Sequence, residues 1–169
     1  MTVTWRSVPA PLRTLARWVT IVQVVGYTTS LIFVWHTTRL VPPGVAARYR
    51  GADPLTSEGA MQFPKSFAEM LTITHTHLLS MVVIFLLTGL GLALCERPSE
   101  GWKRWLIAEP FVALLVSFSA MWLMRYVDPS FSWLLEASSA VLAVTFYVQS
   151  YLILRELRQV EREGHRGSA

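Results

Sequence analysis

Charged residues are scarce in this 169-residue sequence: they make up 15%, against roughly 25% in soluble domains. Cysteine is scarcer still, since Cys95 is the single one, which excludes an internal disulfide and any multi-cysteine metal site. The sequence also lacks a glycine-rich nucleotide-binding loop, a zinc-protease motif and a serine–histidine–acid triad. It therefore assigns no catalytic residue, and the enzyme question stays open.

Hydrophobic residues make up 53% of the chain, and they are concentrated in four long runs. Each run approaches or exceeds the roughly 20 residues that cross a bilayer as a helix. The pattern predicts an all-α membrane protein, an up-down four-helix transmembrane bundle formed by one domain, 1–169. The predicted spans are 18–40, 67–95, 105–126 and 131–154, and residues 41–66 form an outer loop. No cleavage site follows the first run, so we interpret it as a signal anchor.

The orientation follows from the basic residues that flank the spans. The two tails and the loop at 96–104 carry ten Lys and Arg, whereas the opposite side carries five. Because the positive side of a membrane protein faces the cytoplasm, both termini are predicted there, in a bacterial inner membrane that the chain crosses several times. The net charge of +4 is then explained by topology, so the lipid bilayer and not a nucleic acid is the expected partner.

Small and polar residues recur at helical spacing in each span, and such stripes favour helix–helix contacts in membranes. We expect four stripes to meet in the interior of the bundle, and Gly89 and Gly91 to serve helix packing. Pro110 is expected in the first turns of its span, where a missing amide costs least. The stripes are Gly26, Thr29, Phe33 and His36; Met70, Thr74, His77, Met81, Ile84, Thr88 and Gly91; Glu109, Ala113, Ser117, Ala120 and Met124; and Glu136, Ser139, Ala140, Ala143 and Tyr147.

Three histidines lie at the predicted outer side: His36 near the end of the first span, and His75 and His77 near the start of the second. Ionisable side chains in membranes are costly and often functional. Imidazoles from two helices are typical axial ligands of haem, so a b-type haem held by His36 and His77 is the preferred hypothesis. His75 is the alternate ligand, because residues two apart on a helix point about 200° apart and cannot share one ion. Another metal, or hydrogen bonding near helix ends, remains an alternative.

Glu136 lies about two turns into the fourth span from the same side. Its carboxylate could orient an imidazole through the second ring nitrogen, or be a protonated group at a helix contact. Near the opposite side, Glu109 is expected to be a snorkelling carboxylate or, with Gln23, Gln149 and Tyr147 at similar depth, part of a quinone pocket or a proton entry.

Together these residues favour a small electron-transfer subunit that binds haem b near the outer face. Such a subunit links a periplasmic redox partner to a quinone or a larger complex. The alternative is a cofactor-free accessory or assembly subunit of a respiratory or photosynthetic membrane complex.

Overall fold

Five helices form the chain in the computed structural model, which describes residues 3–52 and 62–166, with the backbone alone for 165–166. Four of the helices are long and apolar enough to cross a membrane. The fifth, α2, is short and lies in the predicted outer loop, whose residues 53–61 fall outside the described part. The helices are α1 (Ala10–Thr38), α2 (Pro42–Arg50), α3 (Phe67–Ala93), α4 (Glu100–Tyr126) and α5 (Phe131–Arg166).

The predicted all-helical bundle with four spans is confirmed, although α1, α4 and α5 are longer than their predicted spans and α3 ends two residues earlier. Helix α3 begins at Phe67 as predicted, because Ser66 and Glu69 form a capping box that satisfies amides of the first turn. Helix α4 begins five residues before the predicted span, which corrects the expectation for Pro110: this residue lies well inside the helix. Helix α5 has 36 residues, about 54 Å at 1.5 Å per residue, and so exceeds the bilayer thickness.

The hydrogen bonds at the two ends of the bundle define an antiparallel arrangement. At one end, the Trp5 amide donates to the Leu94 carbonyl at 3.0 Å, and Arg6 forms ion pairs with Glu96 and Glu163. The N-terminal segment, the α3–α4 loop and the end of α5 therefore meet at this end, which we call the terminal end. At the other end, Arg50 of α2 donates to the Met124 carbonyl at 2.8 Å, so that α2 covers the end of α4.

The core lies mainly between α3, α4 and α5, and α4 and α5 form the most extensive contact. Helix α1 is the least covered span: 6% of its most apolar segment is buried, against 39% for α4. In α1 the covered side carries Thr20 and Thr38. The prediction that its small and polar stripe points inward is wrong, because the stripe's residues are all exposed: Gly26, Thr29, Phe33 and His36.

The predicted stripes of α3, α4 and α5 agree with the buried faces of these helices to different extents. Those of α3 and α4 are largely confirmed, with Met70, Thr88 and Gly91 buried in α3 and Ala113, Ser117, Ala120 and Met124 buried in α4. His77 is the exception in α3, as described below. In α5 the prediction misses the buried face by about one residue: Ala140 is exposed, and the buried residues include Ser138, Leu142, Thr145, Phe146, Gln149 and Ile153.

Candidate functional site

All three predicted histidine ligands are exposed on the surface of the single chain. His36 lies two residues before the end of α1, and His75 and His77 lie in the first half of α3. The expectation that His77 points into the bundle is therefore wrong, although its stripe is otherwise mostly covered. The physical reason is that α1 packs mainly against α5, so that little of α1 covers this part of α3.

His77 is held by its own helix. Its Nδ1 lies 3.0 Å from the Ile73 carbonyl oxygen, and a carbonyl can only accept, so Nδ1 carries the proton in this hydrogen bond. A neutral imidazole with a protonated Nδ1 keeps its lone pair on Nε2. The hydrogen bonds within the described residues include none to Nε2. This nitrogen is therefore free to accept a hydrogen bond or to ligate a metal.

The surface around the α3 histidines is polar, although it lies within a membrane span. Its hydroxyls are satisfied locally, because Thr72, Thr76 and Ser80 donate to backbone carbonyls three or four residues earlier. Such bonds make exposed hydroxyls inexpensive in lipid, whereas a free imidazole nitrogen has no such partner. We call this surface the histidine face (Thr72, His75, Thr76, His77 and Ser80). Among the described residues its hydroxyls have hydrogen-bond partners, whereas His77 Nε2 and the His75 ring have none.

Glu136 is half-buried in the second turn of α5, at the end of the bundle opposite the terminal end, and its Oε1 is buried without a hydrogen-bond partner among the described residues. The proposed hydrogen bond from His77 to this carboxylate is not among the contacts of the described part. His77 Nδ1 is engaged by Ile73 instead. Other polar groups in this half of the bundle have partners within the chain: Ser117 and Ser138 share a hydrogen bond of 2.8 Å, and Trp122 Nε1 donates to Thr74 Oγ1.

Within the described residues, no group of three or more His, Cys, Asp or Glu side chains comes together as a metal site. A metal held by His36, His77 and Glu136 within one chain is therefore not preformed. An ion or haem at the histidine face would therefore have fewer than three such side chains as ligands from the described part of this chain.

The sequence reasoning missed a buried polar contact between α4 and α5. Pro110 has no amide hydrogen, so the Leu106 carbonyl four residues earlier loses its helical partner. Gln149, which is fully buried, donates its Nε2 to this carbonyl at 2.6 Å. The signal was present in the sequence as a proline inside one span and a glutamine inside another, since neighbouring helices commonly satisfy carbonyls that proline frees in membranes.

The sequence pattern instead groups Gln149 with Glu109 and Tyr147 in a candidate quinone pocket. The structure engages Tyr147 with α1, where its hydroxyl lies 2.8 Å from Thr28 Oγ1. Glu109 is half-buried, with Oε2 lacking a partner among the described residues. The set therefore does not act as one hydrogen-bonding group.

Comparison with known families gives a match to the Aq_1264_TM family model, a transmembrane helical domain, over residues 39–164. The chain belongs to this family. The matched range contains α2, α3, α4 and nearly all of α5, and with them His75, His77 and Glu136, whereas His36 lies outside it. No curated protein and no solved structure is similar enough to count as a match. The protein is thus a multi-pass membrane protein with a transmembrane helical domain.

Proposed function

We propose that the chain is a small electron-transfer subunit that holds a b-type haem against the histidine face, with His77 as an axial ligand. The observation that carries this proposal is the state of the His77 ring, which is exposed with Nδ1 bonded to Ile73 and Nε2 free. A ligating histidine usually donates its other ring nitrogen to a carbonyl or carboxylate, which fixes the ring and the tautomer. Haem would supply one-electron chemistry at this place, and the exposed Leu71 and Leu79, one turn from His75 on either side, would offer apolar surface to its ring.

The depth of His77 strengthens this argument. Helix α3 runs from residue 67 to residue 93, so His77 lies three residues, about 4.5 Å, from its midpoint. A half-bilayer of hydrocarbon is about 15 Å thick, so water does not reach a residue this far from the helix ends. Ionisable side chains at such depth are expensive and usually mark a functional site. A ligand for Nε2 must then come from a cofactor or from a neighbouring helix.

The opposite axial ligand is less well defined. Counted from the outer ends of their helices, His36 lies two residues deep, about 3 Å, and His77 ten residues deep, about 15 Å. This difference of about 12 Å disfavours a His36–His77 pair within one chain. We therefore keep His36 and His75 as secondary ligands. The depth would be matched better if His77 alone held the haem, or if His77 of a second copy supplied the second imidazole.

An absorbance spectrum of the protein purified from haem-replete cells tests the proposal. Reduced-minus-oxidised haem bands are expected, and His77→Ala should abolish them. Thr76→Ala is the matched control, because its exposed side chain is adjacent but cannot ligate iron. A low-spin spectrum that turns high-spin in His36→Ala would identify His36 as the second ligand. Purified protein without haem bands, or bands unchanged in His77→Ala, would contradict the assignment.

The second candidate is a cofactor-free subunit of a membrane complex, and a different observation favours it. Gly26 and Ser30 lie one turn apart on the exposed side of α1, and a Cβ added at Gly26 would meet nothing within 4 Å. Small residues four apart on an uncovered face are typical of transmembrane helices whose backbones approach closely. A second copy of this chain, packed through α1, is the partner that this pattern favours.

Cysteine cross-linking in membranes tests this alternative. The buried Cys95 is first replaced by alanine, and Ser30→Cys is then expected to form a disulfide between copies. Leu115→Cys, on the exposed side of α4, is the matched control and should stay monomeric. Gly26→Leu should suppress the Ser30 cross-link, because the added side chain separates the two helices. Equal cross-linking at positions 30 and 115 would contradict a specific interface.

A further inference from the structure

A long apolar groove lies between α4 and α5, away from the histidine face. It has a volume of about 580 Å³, within the roughly 300–1,000 Å³ of small-molecule sites. Its walls are almost entirely apolar. The lining residues are Pro98, Trp102, Trp105 and Leu106 from the α4 side, and Ala140, Val141, Val144, Thr145, Val148 and Leu152 from α5.

The length of the groove matches one leaflet of a bilayer. Its α5 wall runs from Ala140 to Leu152, thirteen residues that span about 18 Å of helix. The hydrocarbon of one leaflet is about 15 Å thick. Trp102 and Trp105 line the groove at the terminal end, and tryptophan is the residue enriched at the boundary between hydrocarbon and headgroups. The groove therefore has the extent of an acyl chain, and its end beside Trp102 and Trp105, which we call the headgroup end, lies at headgroup level.

Two arginines, Arg97 and Arg155, lie next to this headgroup end in the sequence of the lining residues. Arg155 follows Leu152 by three residues and Val148 by seven, so it continues the α5 face that lines the groove. Arg97 directly precedes Pro98, and both arginines are exposed. The Glu96 amide donates to Glu156 Oε1 at 2.8 Å, which ties the loop that carries Arg97 to the helix turn that carries Arg155.

The charge of these arginines is not compensated by a direct contact. Among the described residues, neither guanidinium forms an ion pair or a hydrogen bond. The carboxylates nearby are engaged elsewhere: Glu96 pairs with Arg6, and Glu156 accepts the Glu96 amide. A negatively charged group at the headgroup end would therefore meet two guanidiniums that form no ion pair among the described residues.

We propose that this groove binds one anionic phospholipid from the leaflet at the terminal end, with an acyl chain along α5 and the phosphate between Arg97 and Arg155. The apolar walls take the chain, Trp102 and Trp105 mark the headgroup level, and the arginines select the charge. This site is independent of the function proposed for the histidine face.

Native mass spectrometry of the full-length protein in neutral detergent tests the site, with phosphatidylglycerol and phosphatidylcholine as probes. One phosphatidylglycerol should bind with at least tenfold preference over phosphatidylcholine. Arg97→Gln and Arg155→Gln should each weaken its binding about fivefold, as expected for one basic residue at an anionic lipid surface. Val144→Trp should weaken it similarly or more, because the exposed Val144 lines the groove and an indole there fills it.

Arg104→Gln is the matched control, because Arg104 is exposed at the same end of the bundle but projects from the side of α4 opposite the groove-lining Trp102, Trp105 and Leu106. Its effect should stay within twofold. Equal loss in Arg104→Gln and Arg155→Gln would show diffuse attraction to basic residues and overturn the proposal. Equal affinity for the two lipids, or unchanged binding in Val144→Trp, would overturn it as well. Helical content and monodispersity of each variant establish that it is folded.

Discussion

Replacing Gln149 with leucine tests the hydrogen bond that joins α5 to the proline-freed carbonyl of α4. In the native chain the Gln149 Nε2 donor lies 2.6 Å from the Leu106 carbonyl oxygen, and both groups are buried. The substitution removes the donor and leaves the carbonyl without any partner, since Pro110 cannot donate. A buried polar group that loses its partner costs about 1–3 kcal/mol.

The net effect should lie in the lower part of that range. Hydrogen bonds between membrane helices average about 0.6 kcal/mol and reach about 1.7 kcal/mol, because the unfolded chain in the membrane also finds partners. Gln149 Oε1 also has no partner among the described residues, so leucine relieves one cost while creating another. We expect Gln149→Leu to destabilise the protein by about 1–1.5 kcal/mol, somewhat more than the membrane average because the freed carbonyl cannot bond within its helix.

A double-mutant cycle with Pro110→Ala separates this bond from other effects of the leucine. Alanine at position 110 restores an amide that can donate to the Leu106 carbonyl within α4. In that background Gln149→Leu should cost almost nothing. Reversible unfolding in mixed micelles, followed by helical circular dichroism, gives the four free energies of unfolding. A coupling below about 0.5 kcal/mol, the usual limit of additivity, would refute the reasoning.

Three further predictions concern packing, reactivity and topology. Gly91→Leu should destabilise the protein by about 1–3 kcal/mol through overpacking, because a Cβ added at Gly91 would lie 2.8 Å from Ile153 Cδ1. Gly26→Leu is the control and should leave the unfolding of detergent-solubilised monomers unchanged, because a Cβ there meets nothing within 4 Å. Equal destabilisation by the two substitutions would contradict this prediction. Burial raises the pKa of the Cys95 thiol, which lies just beyond α3, to about 12. Because this pKa is well above the pH of the assay, the thiol carries very little of the reactive thiolate form. Alkylation at pH 8 should be far slower in folded protein than in denatured protein, and comparable rates would refute the burial. In a Cys95→Ala background, Ser130→Cys should react with an impermeant thiol reagent on intact cells, and Ser99→Cys only after lysis, because the basic residues favour a cytoplasmic terminal end. The reverse pattern would show that the predicted topology is wrong.

The number of spans was determined by the sequence alone. A run of apolar residues long enough to cross a bilayer is a local property, and backbone groups in lipid must bond within their own helix, so each run forms a helix whatever surrounds it. The capping box at Ser66 and Glu69 is likewise local, and it places the start of α3 where the sequence predicted it.

The side that each helix buries was determined only in part. In α4 the small residues Ala113, Ser117 and Ala120 are buried as predicted, because helices approach most closely where side chains are small. The same rule failed in α1, where Gly26 and its stripe face outward. Periodicity identifies a small or polar face, but it does not tell whether that face meets this chain or another one.

The surroundings of the polar groups were decided by the tertiary structure. Gln149 and Pro110 are 39 positions apart in the sequence, and only the packing of α5 on α4 brings the glutamine to the carbonyl that proline freed. His77 lies on a stripe that is mostly buried, yet its ring is exposed because α1 packs against α5 and leaves this part of α3 uncovered. The sequence determined which residues cross the membrane, whereas the contacts between helices decided which of their polar atoms found partners within the chain and which remained free.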